Sequence, residues 1–150
     1  MPIGFPLFGY LLAFAAGISF VFQATANNSL RAEIASPWWA GFVSYFGGTI
    51  VMLAIALALR EPLPTGQMVA KSQWISWLGG LFGAIYIGIS ILMLPRLGAA
   101  TLIALLVAGQ MVGSLVFDHF GLLGVPVHPV SAIRIAGAAL LVGGVVLIRM

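Results

Sequence analysis

The chain has 150 residues, of which 62% are hydrophobic and only 6% are charged. Soluble proteins carry about a quarter charged residues, so this composition excludes a soluble globular protein and indicates an integral membrane protein. The six basic and three acidic residues are scattered singly, which excludes nucleic acid as a partner. Because the sequence has no cysteine, it offers no disulfide framework and no thiolate metal site, and we expect neither a metal nor a cofactor.

Five apolar runs, each long enough to cross a hydrocarbon core of about 30 Å as a helix, divide the sequence. The runs are continuous rather than alternating, which favours helices over the strands of a membrane barrel. We therefore predict an all-α membrane protein with a single five-helix transmembrane domain over residues 1–150. The first run lacks a preceding positive charge, so we expect it to be retained rather than cleaved as a signal peptide. The predicted helices cover about residues 5–27, 37–59, 74–94, 97–117 and 130–148.

The second half of the first predicted helix carries two amides one turn apart, Gln23 and Asn27. Amides at membrane depth are costly without partners, so these side chains either line a polar cavity or hydrogen-bond to another helix. Both alternatives stay open at this stage. Arg31 and Glu33 are expected in the following loop as a solvated pair.

The second predicted helix has a clear start, with Ser36 as N-cap and Pro37 at the first helical position. After it, prolines and a glycine interrupt the apolar periodicity, which predicts a water-exposed loop over residues 60–73. Tyr86 lies near the middle of the third helix, where it either faces a cavity or, as we favour, bonds to a neighbouring helix. Pro95 is expected to end that helix.

The fourth predicted helix returns antiparallel to the third through a short link over residues 95–98. Gln110 and Ser114, four residues apart, put hydrogen-bonding groups on one of its faces. Asp118 at its far end could pair with Arg134, which lies in the first turns of the fifth helix. We favour an arginine that extends its side chain to the membrane surface over this ion pair.

Pairs of small residues four apart allow helices to approach closely and are typical of helix interfaces in membranes. We expect these pairs to carry helix packing and subunit assembly. They are Gly79 and Gly83, Gly109 and Gly113, and Ala139 and Gly143.

Basic residues are balanced across the predicted topology. Five crossings put Arg60, Lys71 and Arg134 on one side, and the other side has three as well: Arg31, Arg96 and Arg149. The positive-inside rule therefore sets no orientation, and we expect insertion in both orientations. Two copies in opposite orientation would form an inverted-topology pair of the kind that many transporters build from internal repeats.

Several stretches of the sequence resemble the YdcZ-like family of bacterial inner-membrane exporters, over nearly the whole chain. They are GISFVFQATANNSLR (17–31), SYFGGT (44–49), GGLFGAIY (79–86), PRLGAAT (95–101), GQ (109–110) and DHFGLLG (118–124). The resemblance implies membership of the drug/metabolite transporter superfamily, a multi-pass inner-membrane location, and half of a ten-helix fold assembled as an antiparallel dimer. The more distant small multidrug resistance proteins have a glutamate in their first helix, which this sequence lacks, so proton-coupled export of cations is not implied.

The leading hypothesis is a transporter subunit that exports a small organic solute by alternating access in a dual-topology dimer of two identical or homologous chains. Neutral polar walls favour a neutral or weakly charged solute. A dual-topology channel and a structural membrane subunit are the alternatives, and an enzyme is disfavoured because the acids are dispersed and neither histidine lies near a nucleophile. The predicted solute-binding residues are Gln23, Asn27, Tyr86, Gln110 and Ser114.

Overall fold

The computed structural model describes the backbone of residues 4–150 and the side chains of residues 7–150. Throughout this part of the chain the regular secondary structure is helical, with no strand. Two short 3₁₀ turns, Trp74–Leu78 and Leu122–Gly124, precede α4 and follow α5. The helices are α1 (Gly4–Glu33), α2 (Pro37–Ala58), α3 (Gly66–Lys71), α4 (Gly79–Leu97), α5 (Ala99–Phe120) and α6 (Ala132–Arg149).

Five helical segments within the described residues are long and apolar enough to cross a membrane. This result confirms the all-α class and the five candidate membrane-spanning helices. The segments are Leu7–Glu33, Pro37–Ala58, Trp74–Leu97, Ala99–Phe120 and Ala132–Arg149. Close contacts group them into two compact units, one ending at Pro95 and the other covering Arg96–Met150, so the single five-helix domain stays a prediction.

The C-terminal end of α1 lies further along the chain than the sequence predicts. Arg31 and Glu33 belong to its last turn, and the Ser29 hydroxyl donates a hydrogen bond of 3.0 Å to Glu33 Oε1. The expected loop pair of Arg31 and Glu33 is therefore wrong. A helix of 30 residues spans about 45 Å, more than the hydrocarbon core, so its polar end extends towards the headgroups without having to unwind.

The sequence also misjudged the helix breakers in two places. Pro95 lies inside α4, which continues for two more residues to Leu97. Because the proline is so close to the end of the helix, it interrupts only the last turn. The break falls at Gly98, whose φ of 78° is a conformation that glycine adopts at little cost. The predicted loop over residues 60–73 contains α3, where the Thr65 side chain caps the helix by accepting a hydrogen bond from Met68 N at 3.3 Å.

In the first unit, α1 and α2 pack together as an antiparallel pair joined by a three-residue link over residues 34–36. Ser36 caps α2 as predicted, accepting a hydrogen bond from Trp39 N at 3.3 Å. Ala40 is completely buried, so only a small side chain fits at this point of α2. The three-residue link keeps α1 and α2 next to each other.

Side chains of α2 and α4 pack where α4 has glycine. A Cβ added at Gly83 would overlap the Tyr45 hydroxyl and lie 3.2 Å from Tyr45 Cζ, and one at Gly88 would lie 3.5 Å from Trp38 Cζ3. At Gly79, one turn before Gly83, the same atom would have no neighbour within 4 Å in the described chain. Gly83 therefore makes room for an aromatic ring, whereas Gly79 borders open space.

In the second unit, α5 and α6 pack together and polar bonds tie their connecting segment to the helix ends. Arg134 forms an ion pair with Asp118, and its Nη1 donates a hydrogen bond of 2.8 Å to the carbonyl oxygen of His128. His128 N donates to Asp118 O at 2.8 Å, and His119 Nδ1 accepts from Val130 N at 3.1 Å. In the structure Arg134 therefore bonds inside the protein, the arrangement that the sequence did not favour.

Replacing Gly83 with leucine should destabilise the protein, because the new side chain must displace the Tyr45 ring. We expect a loss of about 1–3 kcal/mol, as for other overpacked sites, measured by thermal unfolding in detergent. Gly79→Leu is the matched control on the same helix and should unfold at the wild-type temperature. Equal destabilisation of the two variants would contradict the packing of Tyr45 on Gly83.

The bond between Asp118 and Arg134 should appear as a coupling energy in a double-mutant cycle. For Asp118→Asn, Arg134→Gln and the double variant, we expect a coupling of at least about 0.5 kcal/mol, because the paired side chains are about two-thirds buried. Arg149→Gln at the other end of α6, combined with Asp118→Asn, should give additive effects. A coupling near zero for Asp118 and Arg134 would rule out the ion pair.

Candidate functional site

The main candidate site is a groove between α1 and α2, centred on a contact between Gln23 and Ser44. Gln23 Nε2 donates a hydrogen bond of 3.3 Å to Ser44 Oγ. The groove has a volume of about 610 Å³, within the range of small-molecule pockets. Its lining residues are Gln23, Ser44, Tyr45, Gly48, Thr49, Met52 and Leu53.

Two features of α2 shape this groove. Gly48 lies one turn after Ser44 and has no side chain, and a Cβ added there would meet nothing within 4 Å beyond the adjoining part of its own helix. The Thr49 hydroxyl donates to Tyr45 O at 2.9 Å and is thus satisfied by its own helix. After the bond to Ser44, Gln23 still offers a solute its carbonyl oxygen as acceptor and the second hydrogen of its amide nitrogen as donor. The hydroxyls of Ser44 and Tyr45 are further hydrogen-bonding groups in the lining.

Asn27 lies one turn beyond Gln23 and is almost completely buried, with 6% of its surface exposed. Its Nδ2 has no hydrogen-bond partner among the described residues. The same holds for two more buried atoms close by on α1, Asn28 Oδ1 and Arg31 Nε. Gln23 therefore bonds to another helix and also lines the groove, whereas Asn27 forms no interhelix bond that would explain its burial.

Tyr86 contacts α1 through its ring. It is half-buried on α4, and its ring centroid lies 5.2 Å from that of Phe20 at an interplanar angle of 42°. Ser90, buried one turn further on, donates its hydroxyl hydrogen to Tyr86 O at 2.8 Å. Tyr86 is thus in the same unit as Gln23 and Asn27, although it does not line the groove.

Gln110 and Ser114 lie on α5 in the second unit, and both are exposed. Ser114 Oγ donates a hydrogen bond to Met111 O at 2.9 Å, so its hydroxyl is satisfied within the helix. Their role in solute binding stays a prediction.

The predicted packing residues of the second unit border open space. A Cβ added at Gly109, Gly113 or Gly143 would meet nothing within 4 Å in the described residues beyond the adjoining part of its own helix, and Ala139 is exposed. These faces therefore carry no packing within the described chain, and their predicted part in assembly is untested.

Three residues of the candidate site were missed as such in the sequence. Ser44, Asn28 and Arg31 are not among the predicted solute-binding residues, and the prediction ends α1 at residue 27, before Asn28 and Arg31. The sequence does contain a signal for Arg31. Gln23, Asn27 and Arg31 follow one another at intervals of one helical turn and so form a polar stripe along one side of α1. Among the described residues, no group of three histidines or acids is placed to hold a metal ion.

Comparison with known proteins identifies the family. Residues 8–147 match the model of the family described as "Putative inner membrane exporter, YdcZ". The chain belongs to the YdcZ family. It is 33% identical over 130 residues to the inner membrane protein YdcZ of Escherichia coli K12, which covers 87% of either chain. No solved structure matches the chain.

Membership of the YdcZ family confirms the resemblance seen in the sequence and the multi-pass location in the bacterial inner membrane. The family is described as an exporter, which is a transporter rather than an enzyme. The comparison names no solute for this chain.

The two amides of α1 should respond differently to replacement by leucine. Gln23→Leu loses the bond to Ser44, and we expect a destabilisation of about 0.6 kcal/mol, typical of interhelix hydrogen bonds in membranes. Asn27→Leu removes a buried amide without a described partner, so stability should stay equal or rise.

Thr25→Val is the matched control for this pair on the same helix. The Thr25 hydroxyl bonds only to Val21 O and Phe22 O of its own helix, so little stability should be lost. Thermal unfolding of the three purified variants measures the comparison. A larger loss for Asn27→Leu than for Gln23→Leu would show that Asn27 is a structural hydrogen-bonding residue.

Proposed function

We propose that this YdcZ-family protein is a subunit of a secondary transporter that exports a small organic solute. The observation that carries the proposal is the groove of about 610 Å³ that contains Gln23 and Ser44. Polar side chains are costly in a membrane helix, and such residues commonly mark solute pathways. The exporter family to which the chain belongs supports the same function.

The proposed active form is an antiparallel dimer of two five-helix chains, or of this chain and a homologous one. Five helices provide half of a ten-helix transporter, and the groove is open on one side, as expected of a half-site. Alternating access would then rock one subunit against the other around a solute near the midplane. The open glycine faces of α5 and α6 offer close approach to a second chain.

The distribution of basic residues supports both orientations. By the predicted topology, Arg60, Lys71 and Arg134 lie on one side of the membrane, and Arg31, Arg96 and Arg149 lie on the other. With five crossings, successive loops lie on alternating sides of the membrane, and each side has three basic residues. The K/R asymmetry that orients most membrane proteins is therefore missing from this chain.

Transport is tested with purified protein in liposomes. A thermal-shift screen of metabolites and drugs identifies solutes that stabilise the protein, since a ligand of the native state raises its unfolding temperature. Exchange of a stabilising, radiolabelled solute is then measured against the passive leak. Saturable exchange faster than leak is expected, whereas flux that never saturates would identify a channel, and no flux for any stabilising solute would indicate a structural subunit.

Variants of the groove residues test whether solute exchange depends on the groove. Gln23→Leu and Ser44→Ala should lower solute affinity about tenfold, the effect of about one lost hydrogen bond of 1.4 kcal/mol. Thr25→Val, which leaves the groove unchanged, should exchange solute at the wild-type rate. Wild-type affinity in both groove variants would place the solute elsewhere.

Dual topology is tested with single cysteines, which the natural chain lacks. Gln67→Cys on α3 and Ile34→Cys in the link before α2 are exposed and, by the predicted topology, lie on opposite sides. An impermeant thiol reagent should label each variant from both sides of the membrane, with about half of the molecules accessible from either. Labelling of Gln67→Cys from one side only would exclude a homodimer in opposite orientations.

A further inference from the structure

The C-terminal end of α1 combines three buried polar atoms that form no hydrogen bond with the described chain: Asn27 Nδ2, Asn28 Oδ1 and Arg31 Nε. A buried polar atom without a partner costs about 1–3 kcal/mol, and native proteins tolerate few of them. Helical geometry places residues 27, 28 and 31 within an arc of about 100° and one turn of each other. The three residues therefore lie on one side of α1, and we refer to them as the cluster.

Neighbouring groups do not explain this cluster. Glu33, the acid closest in sequence, accepts a hydrogen bond from Ser29, and Arg31 forms no ion pair with a described residue. On the antiparallel α2, Ala40 lies one turn before Ser44, at the level of Asn27, and has no polar side-chain atom to offer. The favourable position of a cation at the end of a helix accounts for Arg31 but not for the buried amide of Asn27.

The chemistry of the cluster indicates which kind of ligand it would fit. Asn27 Nδ2 and Arg31 Nε are donors, and the guanidinium adds a permanent positive charge. Donors combined with a positive charge match a carboxylate or phosphate oxygen, the usual partner of arginine. The single acceptor, Asn28 Oδ1, suits a hydroxyl or N–H of the same ligand.

We propose that Asn27, Asn28 and Arg31 form a binding subsite for an oxyanion, a carboxylate or phosphate group. Two sources share this chemistry: the acidic group of a transported solute, and the headgroup of a membrane lipid. The assignment to a solute rests on the proposed function, and it defines the solute as an organic acid whose polar body reaches Gln23, about 12 Å along α1 from Arg31. The binding of an oxyanion does not depend on transport.

This subsite revises the expectation of a neutral solute without contradicting the groove. The walls around Gln23 and Ser44 are neutral, so the charge of the solute has to lie at the end of the stripe. Arg31 is in the last turn of a helix longer than the hydrocarbon core, where a charge is less costly than at the midplane.

The test measures binding to protein purified in a neutral, phosphate-free detergent. The probes are benzoate, its neutral isostere benzamide, inorganic phosphate and, separately, phosphatidylglycerol. We expect benzoate or phosphate to bind at least tenfold more tightly than benzamide. Arg31→Gln should lower that affinity about tenfold or more, whereas Arg31→Lys should retain part of it.

Two more variants test whether binding depends on the donors of the subsite. Asn27→Asp keeps the size of the side chain but replaces the donor by a negative charge, and it should also abolish oxyanion binding. Arg96→Gln removes an exposed arginine from the end of α4 and should bind as the wild type does. Wild-type oxyanion affinity in Arg31→Gln or in Asn27→Asp would overturn the subsite.

The outcomes separate the two sources and the two proposals. Binding of phosphatidylglycerol alone, dependent on Arg31, would assign the subsite to lipid and overturn the acidic solute. The subsite would be overturned if benzamide bound as tightly as benzoate and phosphate and phosphatidylglycerol did not bind. This conclusion would hold even if the protein transported a neutral solute. Oxyanion binding without exchange in liposomes would leave the subsite standing and contradict the proposed transport.

Discussion

The structure depends on one constraint, which is that a bilayer interior supplies no water to hydrogen-bond polar groups. The backbone meets it by forming helices over all five membrane segments. Several hydroxyl side chains meet it locally, as Thr25, Thr49, Ser90 and Ser114 donate to carbonyl oxygens of their own helix. Groups that cannot be satisfied in this way must bond across helices or to a ligand, and these groups define the candidate site.

Two arrangements in the described residues meet that constraint between side chains of different helices. Gln23 bonds across helices to Ser44, and Asp118 pairs with Arg134 where α5 and α6 meet their connecting segment. The amide of Asn27 has neither solution within the described residues, although it is among the most buried polar groups. Asn27 differs in this from Gln110, which is exposed on α5 rather than buried within its own unit.

The way the helices pack also follows from the membrane environment. Helices in a lipid gain little from hydrophobic burial, so close approach at small residues provides much of their association. Gly83 shows this approach directly, because its missing side chain accommodates Tyr45. Gly109 and Gly113 have the same spacing pattern in the sequence but border open space, so a small-residue pattern alone does not identify the face that is packed within the chain.

The sequence by itself determined the helical class, the number of membrane segments and the family, because apolar run length and local motifs are properties of adjacent residues. It also identified Gln23 and Asn27 as costly polar groups. Only the tertiary structure decided that Gln23 meets Ser44, that Asn27 has no partner on α2, and that Arg134 pairs with Asp118. A hydrophobic pattern shows whether a residue avoids water or lipid, because it depends on neighbouring residues alone. The partner of a polar side chain depends on how the fold brings two distant segments together.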